Sequence, residues 1–313
     1  MTKTWHRPTL WLAVVMAVGA LGCAVAAVLD GRLLQDVSLW AKPFKFTLSL
    51  AVYSATLSWL LSLPHRGRRW TSGTATVIAG IMFLEVGLIA LQAGRGTFTH
   101  YNSSDDPLNR FVQLTFGTLI PAMFLANVVL ALVLSFQRFG RPDVRWAVRG
   151  GLYLAILGMA SGYLMVGPRR PVTAVDATGR EVELVGGHSV GVPDGGAGMP
   201  ITGWSTTGGD LRVPHFVGMH GLQVMILLAL GLAALGVAEH VRTRLVAVAA
   251  LGYAGLFAVL VRQALQGEPV TRPGGTTWAA LGGLAVVVAA GAGLALRRGT
   301  AARPPARQPV PQR

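Results

Sequence analysis

The chain has 313 residues, 52% of them hydrophobic and only 13% charged, with a mean hydropathy of +0.53, which excludes a water-soluble fold of this size. The net charge of +14 would suggest nucleic acid in a soluble protein; in a membrane chain its division between the two sides is what informs, and nucleic acid is not an expected partner. The lone Cys23 excludes an internal disulfide and a multi-cysteine metal site, so any metal chemistry must use histidine and carboxylates.

Apolar runs predict about eight membrane spans, at 10–29, 43–63, 74–94, 111–136, 147–167, 215–237, 245–263 and 277–296. The expected fold is therefore all-α: one transmembrane helical domain over 1–296, with a long outer loop at 168–214 and a disordered cytoplasmic tail at 297–313. Placing both termini in the cytoplasm puts 16 of the 27 Lys and Arg inside, opposed there only by Asp143 and Glu239. That imbalance is the positive-inside pattern, so the expected location is a bacterial inner membrane, with the basic cytoplasmic loops meeting anionic lipid.

In the first span, Lys3 and Arg7 before an apolar run, with Ala24-Val25-Ala26 after it, imitate a signal peptide. The run continues to Leu29 and is long enough to cross, which favours a retained helix. The second span opens on Trp40-Ala41-Lys42-Pro43-Phe44-Lys45-Phe46. Two cations three residues apart at the outer start of a helix oppose both the helix dipole and the positive-inside tendency. Either an anion compensates them (Asp105 or Asp106, a lipid phosphate, or the carboxylates of a ligand) or the lysines snorkel to water.

The stretch Leu84 to Asn102 carries Glu85, Gln92, Arg95, His100 and Asn102 in an otherwise apolar run. Glu85 and Gln92, seven apart, fall within roughly 20° on a helix and form one stripe. Arg95 lies about 15 Å beyond Glu85 along the axis, at the interface if Glu85 is near mid-bilayer. A carboxyl at that depth is either neutral hydrogen-bonding glue between helices, a proton or ion site, or support for an outer site. In the fourth span Gln113 and Asn127 share a face that can turn toward the Glu85 stripe. The fifth carries Gly158-Met-Ala-Ser-Gly162, a close-packing pattern.

Within the long loop, Pro171 to Val175 and Arg180 to Val185 flank Asp176-Ala-Thr-Gly179 and predict a short β-hairpin. The Gly-rich remainder, with His188, Asp194, Met199, Ile201, Trp204 and Asp210, reads as an ordered outer lid. It leads into His215-Phe-Val-Gly-Met-His220-Gly-Leu-Gln223, where His215 and His220 are about 140° apart on a regular helix, whereas His220 and Gln223 are better aligned.

Three of these stretches resemble a family of uncharacterised bacterial multi-span membrane proteins: Lys42-Pro43-Phe44-Lys45-Phe46, then Gln92-Ala-Gly-Arg95-Gly96-Thr-Phe-Thr99-His100-Tyr-Asn102, then Ser205-Thr-Thr-Gly-Gly-Asp210-Leu-Arg212 running into His215 and His220. The resemblance spans most of 38–225 and implies a polytopic membrane fold but no activity.

No phosphate-cradling glycine motif, GxSxG or HExxH is present. What clusters at the expected outer face is histidine: His100, His188, His215 and His220, as metal or haem ligands. Lys42, Lys45, Glu85, Gln92, Arg95, Asn102, Arg212 and Gln223 are the expected ligand-binding residues. The leading expectation is a site for haem or a divalent metal. Alternatives are a proton-coupled or small-solute transporter using the Glu85/Gln92 stripe, and a membrane-embedded enzyme acting on lipid. The bilayer is an expected partner, and a homo-oligomer is compatible with the sequence.

Overall fold

The computed structural model describes residues 5–138, 140–166 and 171–300, with backbone alone for 298–300. Helix α1 is Arg7–Leu29 and a minute hairpin follows, β1 (Leu33–Leu34) with β2 (Val37–Ser38). Then come α2 (Ala41–Ser62), α3 (Arg68–Gly94), α4 (Pro107–Ser135) and α5 (Pro142–Ser161), the last continued by a tighter turn over Gly162–Met165. The long loop holds β3 (Val172–Val175), β4 (Glu181–Leu184), β5 (Ser189–Val190) and β6 (Gly209–Asp210). The chain closes with α6 (Arg212–Met219), α7 (Gly221–Ala234), α8 (Glu239–Leu265) and α9 (Gly275–Thr300).

Among the described residues seven helices are long and apolar enough to cross a membrane, and the bent pair α6–α7 makes an eighth if it is one span. The protein is an all-α polytopic helix bundle whose strands form only two-stranded antiparallel ribbons. Proline opens several helices where its missing N–H costs nothing: Pro107 follows Asp106, whose carboxylate accepts from Asn109 N at 3.0 Å and caps α4, and Pro142 opens α5.

Helices α1, α2, α3, α4, α5 and α7 share one apolar core that includes Met16, Leu57, Leu60, Met82, Val86, Leu130, Val148, Leu222 and Ile226. Around it, α1 lies on α2 and α3, α8 packs on α5, α6 and α7, and α9 packs on α8. The sequence pattern predicts a single straight sixth span; the structure instead breaks it at His220, with a 44° bend. Close packing explains the break. A Cβ on Gly218 would collide with the backbone of Gly158, and one on Gly221 would press on Leu154, so both glycines let this chain lie against α5 on either side of the bend.

In the lid, β3 pairs with β4 in the register Val172↔Leu184 and Val175↔Glu181, around the expected Asp176 to Gly179 turn. The expected lid start at 168–170 lies outside the described residues. The boundary expected at 297 moves, since α9 runs on to Thr300, and the remainder of the expected tail also lies outside the described residues.

Candidate functional site

Two polar networks meet where the lid closes on the bundle. The first fixes the loop between α3 and α4. Gln92, fully buried, donates from Nε2 to Asn109 Oδ1 at 3.2 Å and accepts from Arg95 Nη1 at 2.7 Å. Arg95 Nη2 pairs with Asp106 Oδ1 at 3.0 Å. Asn102 Nδ2 donates to the Phe98 carbonyl at 3.0 Å, and Asn109 Nδ2 donates to the carbonyls of Asn102 and Ser104. Gln113 donates to the Thr99 carbonyl at 2.9 Å. Together these bonds tie the loop to the ends of α3 and α4, with Gln92, Arg95 and Asn102 among the residues that hold it.

The lid is joined to that loop by an isolated antiparallel bridge, Asn102 opposite Leu184. Val185 N donates to the Tyr101 carbonyl, Ser103 N to the Glu183 carbonyl, and Ala177 N to the Gly96 carbonyl. Gly96 is at φ +77°, and a Cβ there would also crowd the Thr178 side chain, which is why the loop has glycine at this position. Tyr101 is at φ +63° without being glycine, a conformation that only surrounding structure can enforce. Its effect is to send neighbouring rings in different directions: His100 turns toward Phe46 and Phe116, at 6.1 and 4.8 Å between centroids, while Tyr101 packs edge-on to His188 at 5.5 Å.

The second network is basic. Lys42 Nζ donates to His100 Nδ1 at 2.7 Å, which requires that nitrogen to be unprotonated. One turn along α2, Lys45 Nζ donates to the Thr202 carbonyl at 2.8 Å. From the start of α6, Arg212 Nη2 donates to the next carbonyl, Gly203, at 2.6 Å, while its Nε and Nη2 grip Asp210 at 3.0 and 2.6 Å. Asp210 also accepts from Ser205 N, so it is consumed within the lid.

His100 is held well below the usual imidazole range, first by burial and then by the proximity of Lys42 and His188. Burial lowers His188 as well, offset by Asp194 and reinforced by Arg212 and Lys42. Lys42, Arg212, His100 and His188 therefore share one electrostatic neighbourhood. Asp194 accepts from the backbone N–H groups of His188 and Ser189 at 2.8 and 2.7 Å and lies 3.4 Å from His188 Nδ1; these contacts keep its carboxyl far below the ordinary range despite burial.

The expected carboxylate partners for the two lysines are engaged elsewhere or remote. Asp106 belongs to Arg95 and the α4 cap, and Asp105 is exposed. Among the described residues neither Lys42 nor Lys45 has a carboxylate at ion-pair distance.

His215 Nδ1 donates to the Gly158 carbonyl at 2.7 Å. His220 sits at the bend, 4.4 Å from the Phe216 ring. His220 Nε2 and Gln223 Oε1 are both buried without a hydrogen-bond partner, three residues apart as the helical spacing anticipates. Glu85, 8% exposed, also has Oε1 without a partner. The face-sharing expected of Gln113 and Asn127 with Glu85 is not what joins them: Gln113 serves the loop, and Asn127 Oδ1 accepts from Tyr53 Oη at 2.5 Å. Among the described residues no three His, Cys, Asp or Glu side chains are grouped to hold a metal ion.

Sequence reasoning passes over Asp194, Tyr101 and the carbonyls of Thr202 and Gly203. Asp194 sits in Pro193-Asp194-Gly195, whose turn chemistry marks a side chain that binds nearby backbone N–H groups. Gly158, read as a packing residue, is also the acceptor that orients His215. Set against protein-family models, characterised proteins and solved structures, the chain matches none of them.

Proposed function

We propose that this membrane protein binds an anionic group, a phosphate or carboxylate, beneath the lid. The residues that take it are Lys42 and Lys45, with Arg212 and the imidazoles of His100 and His188 beside them. The observation that carries the reading is the pair of half-buried lysines with no carboxylate at ion-pair distance among the described residues: Lys42 is held by a neutral imidazole and Lys45 by a lid carbonyl. Cations placed there against the helix dipole are stabilised when an oxyanion completes them. The three stretches that carry the family resemblance, far apart in the chain, supply this site: one gives Lys42 and Lys45, one His100 with its loop clamp, one Asp210 and Arg212.

The lid end is the extracytoplasmic end in this reading. Arg66, Arg68, Arg69, Arg141, Arg145, Arg242 and Arg244 lie at the opposite end with the N-terminus, as the positive-inside pattern of a bacterial inner membrane requires. The test is thermal unfolding of the purified protein titrated with inorganic phosphate or a short dicarboxylate. Stabilisation that Lys45→Gln abolishes supports the site; equal stabilisation of both proteins removes it.

A haem reading is favoured by one further observation. His215, held at Nδ1 by a backbone carbonyl, and His188, held at Nδ1 near Asp194, each leave Nε2 for a ligand, which is how iron-binding imidazoles are commonly oriented. Propionates would then occupy the lysines. A Soret band that co-purifies with the protein and is lost in His215→Ala distinguishes haem from other anions.

A further inference from the structure

A second turn of the lid, between Met199 and Trp204, forms a tip that lies over this site. Met199 N donates to the Trp204 carbonyl and Gly203 N to the Met199 carbonyl, making a tight turn over Pro200 to Gly203. Ile201 in that turn is at φ +67°, a strained conformation for a β-branched residue, and its side chain is 84% exposed. What holds the tip down is the site itself, because the Thr202 and Gly203 carbonyls are the acceptors of Lys45 and Arg212. The two carbonyl oxygens stand where the oxygens of an anion would stand.

The place where the tip bridges α2 and α6 is a seam: α2 packs chiefly on α1 and α3, whereas α6 packs on α5, α7 and α8. At the lid end, α2 and α6 are joined through the lid tip, bound on one side by Lys45 and on the other by Arg212. Flanking the seam are two aromatic side chains one turn into their helices. Phe46 is exposed on its outer side and lies 6.1 Å from His100 inward. Phe216, 44% exposed, bridges Trp204 of the lid at 5.8 Å and His220 at 4.4 Å. Exposed aromatic side chains thus stand within one helical turn of Lys45 on α2 and of Arg212 on α6, the arrangement that suits one molecule with an acyl chain and an anionic head.

Resting on the anion reading above, we infer that the ligand is an anionic membrane amphiphile that enters laterally from the bilayer between α2 and α6, its headgroup displacing the Thr202 and Gly203 carbonyls from Lys45 and Arg212. The docked tip is the closed arrangement. Strain at Ile201 makes release easier, and the exposed Ile201 side chain keeps the released tip at the membrane surface.

The experiment uses the full-length protein in nanodiscs containing phosphatidylglycerol with a photoreactive group in the acyl chain, and phosphatidylcholine carrying the same chain as the comparison. The expected adducts fall on the segments around Phe46 and Phe216, at least about fivefold above phosphatidylcholine, and Lys42→Gln/Lys45→Gln removes that excess while Lys45→Arg retains most of it. Ile201→Gly, which relieves the left-handed strain without touching the bundle, firms the docked tip and slows labelling about threefold or more. Equal labelling by the two lipids, adducts spread over other helices, or an unchanged rate in Ile201→Gly overturns the inference. Glycerol 1-phosphate is titrated in parallel against the detergent-solubilised protein. Stabilisation by it without seam adducts leaves an anion site fed from water and ends lateral entry; no response to either probe ends both readings.

Discussion

Lys42 on α2 and His100 in the α3–α4 loop are joined by a 2.7 Å hydrogen bond in which the ammonium donates to a bare imidazole nitrogen. A lysine beside a carboxylate already has its counter-ion; Lys42, beside a neutral imidazole, has none there. Replacing Lys42 by Gln removes one charge-assisted bond to the anion, about 1.5–3 kcal/mol, so affinity for phosphate falls roughly ten- to hundredfold. Calorimetric titration of both proteins checks this. An unchanged dissociation constant would place Lys42 outside the site.

The pH dependence follows from His100 and His188, both held below the ordinary imidazole range by burial and by neighbouring cations, with Asp194 opposing the shift at His188. In the unfolded chain these histidines take up protons near their ordinary pKa of about 6.5, whereas the folded protein takes them up only at lower pH. The unfolded state therefore binds more protons in that window, and stability declines as pH falls from about 7 to about 5. Melting temperatures across that range should drop, and His100→Gln should flatten the slope. Saturating phosphate should reduce it too, because a bound anion favours the protonated rings.

Arg95 separates the loop clamp from the binding site. Its partners are Gln92 and Asp106, not the lysines. Because the ion pair is partly exposed, Arg95→Gln should cost only about 1 kcal/mol of stability, seen as a lowered melting temperature, while phosphate affinity stays within about twofold. A large loss of affinity at unchanged stability would bring Arg95 into the site.

Glu85 tests the interior of the bundle. Its Oε1 is buried without a partner, and no described cation pairs with it. Glu85→Gln should preserve expression and assembly, measured by size-exclusion chromatography and melting temperature. Assembly lost in Glu85→Gln but kept in Glu85→Asp would show instead that a permanently ionised carboxylate is required there.

Much of the architecture was readable because the bilayer imposes a length and an apolar composition on every span, so eight runs marked the helices and the lysines at α2 stood out against them. The β3–β4 hairpin was equally legible from Asp176-Ala-Thr-Gly179. The break at His220 was not, since it depends on Gly158 meeting Gly218 across two segments some 60 residues apart. The site divides the same way. Hydropathy flagged Gln92, Arg95, His100 and Lys45 alike as costly polar positions, but it cannot say which of them spend their bonds on a loop and which face a ligand. That distinction lies in partners, and partners such as the Thr202 carbonyl are backbone atoms with no sequence signature.

The proposed side of the membrane rests on charge alone and is checked by labelling. Glu181, exposed on β4, changed to Cys in a background with Cys23→Ser, should react in intact cells with an impermeant maleimide added outside. Reaction only after the cells are opened would invert the topology.

The most direct test of the anion site is equilibrium titration of glycerol 1-phosphate into the purified protein at two salt concentrations, with Lys42→Gln/Lys45→Gln measured alongside. The account predicts saturable one-to-one binding that weakens with added salt and falls at least about a hundredfold in the double variant. Binding of the same strength in both proteins, or no saturable binding to the unmodified one, would contradict it.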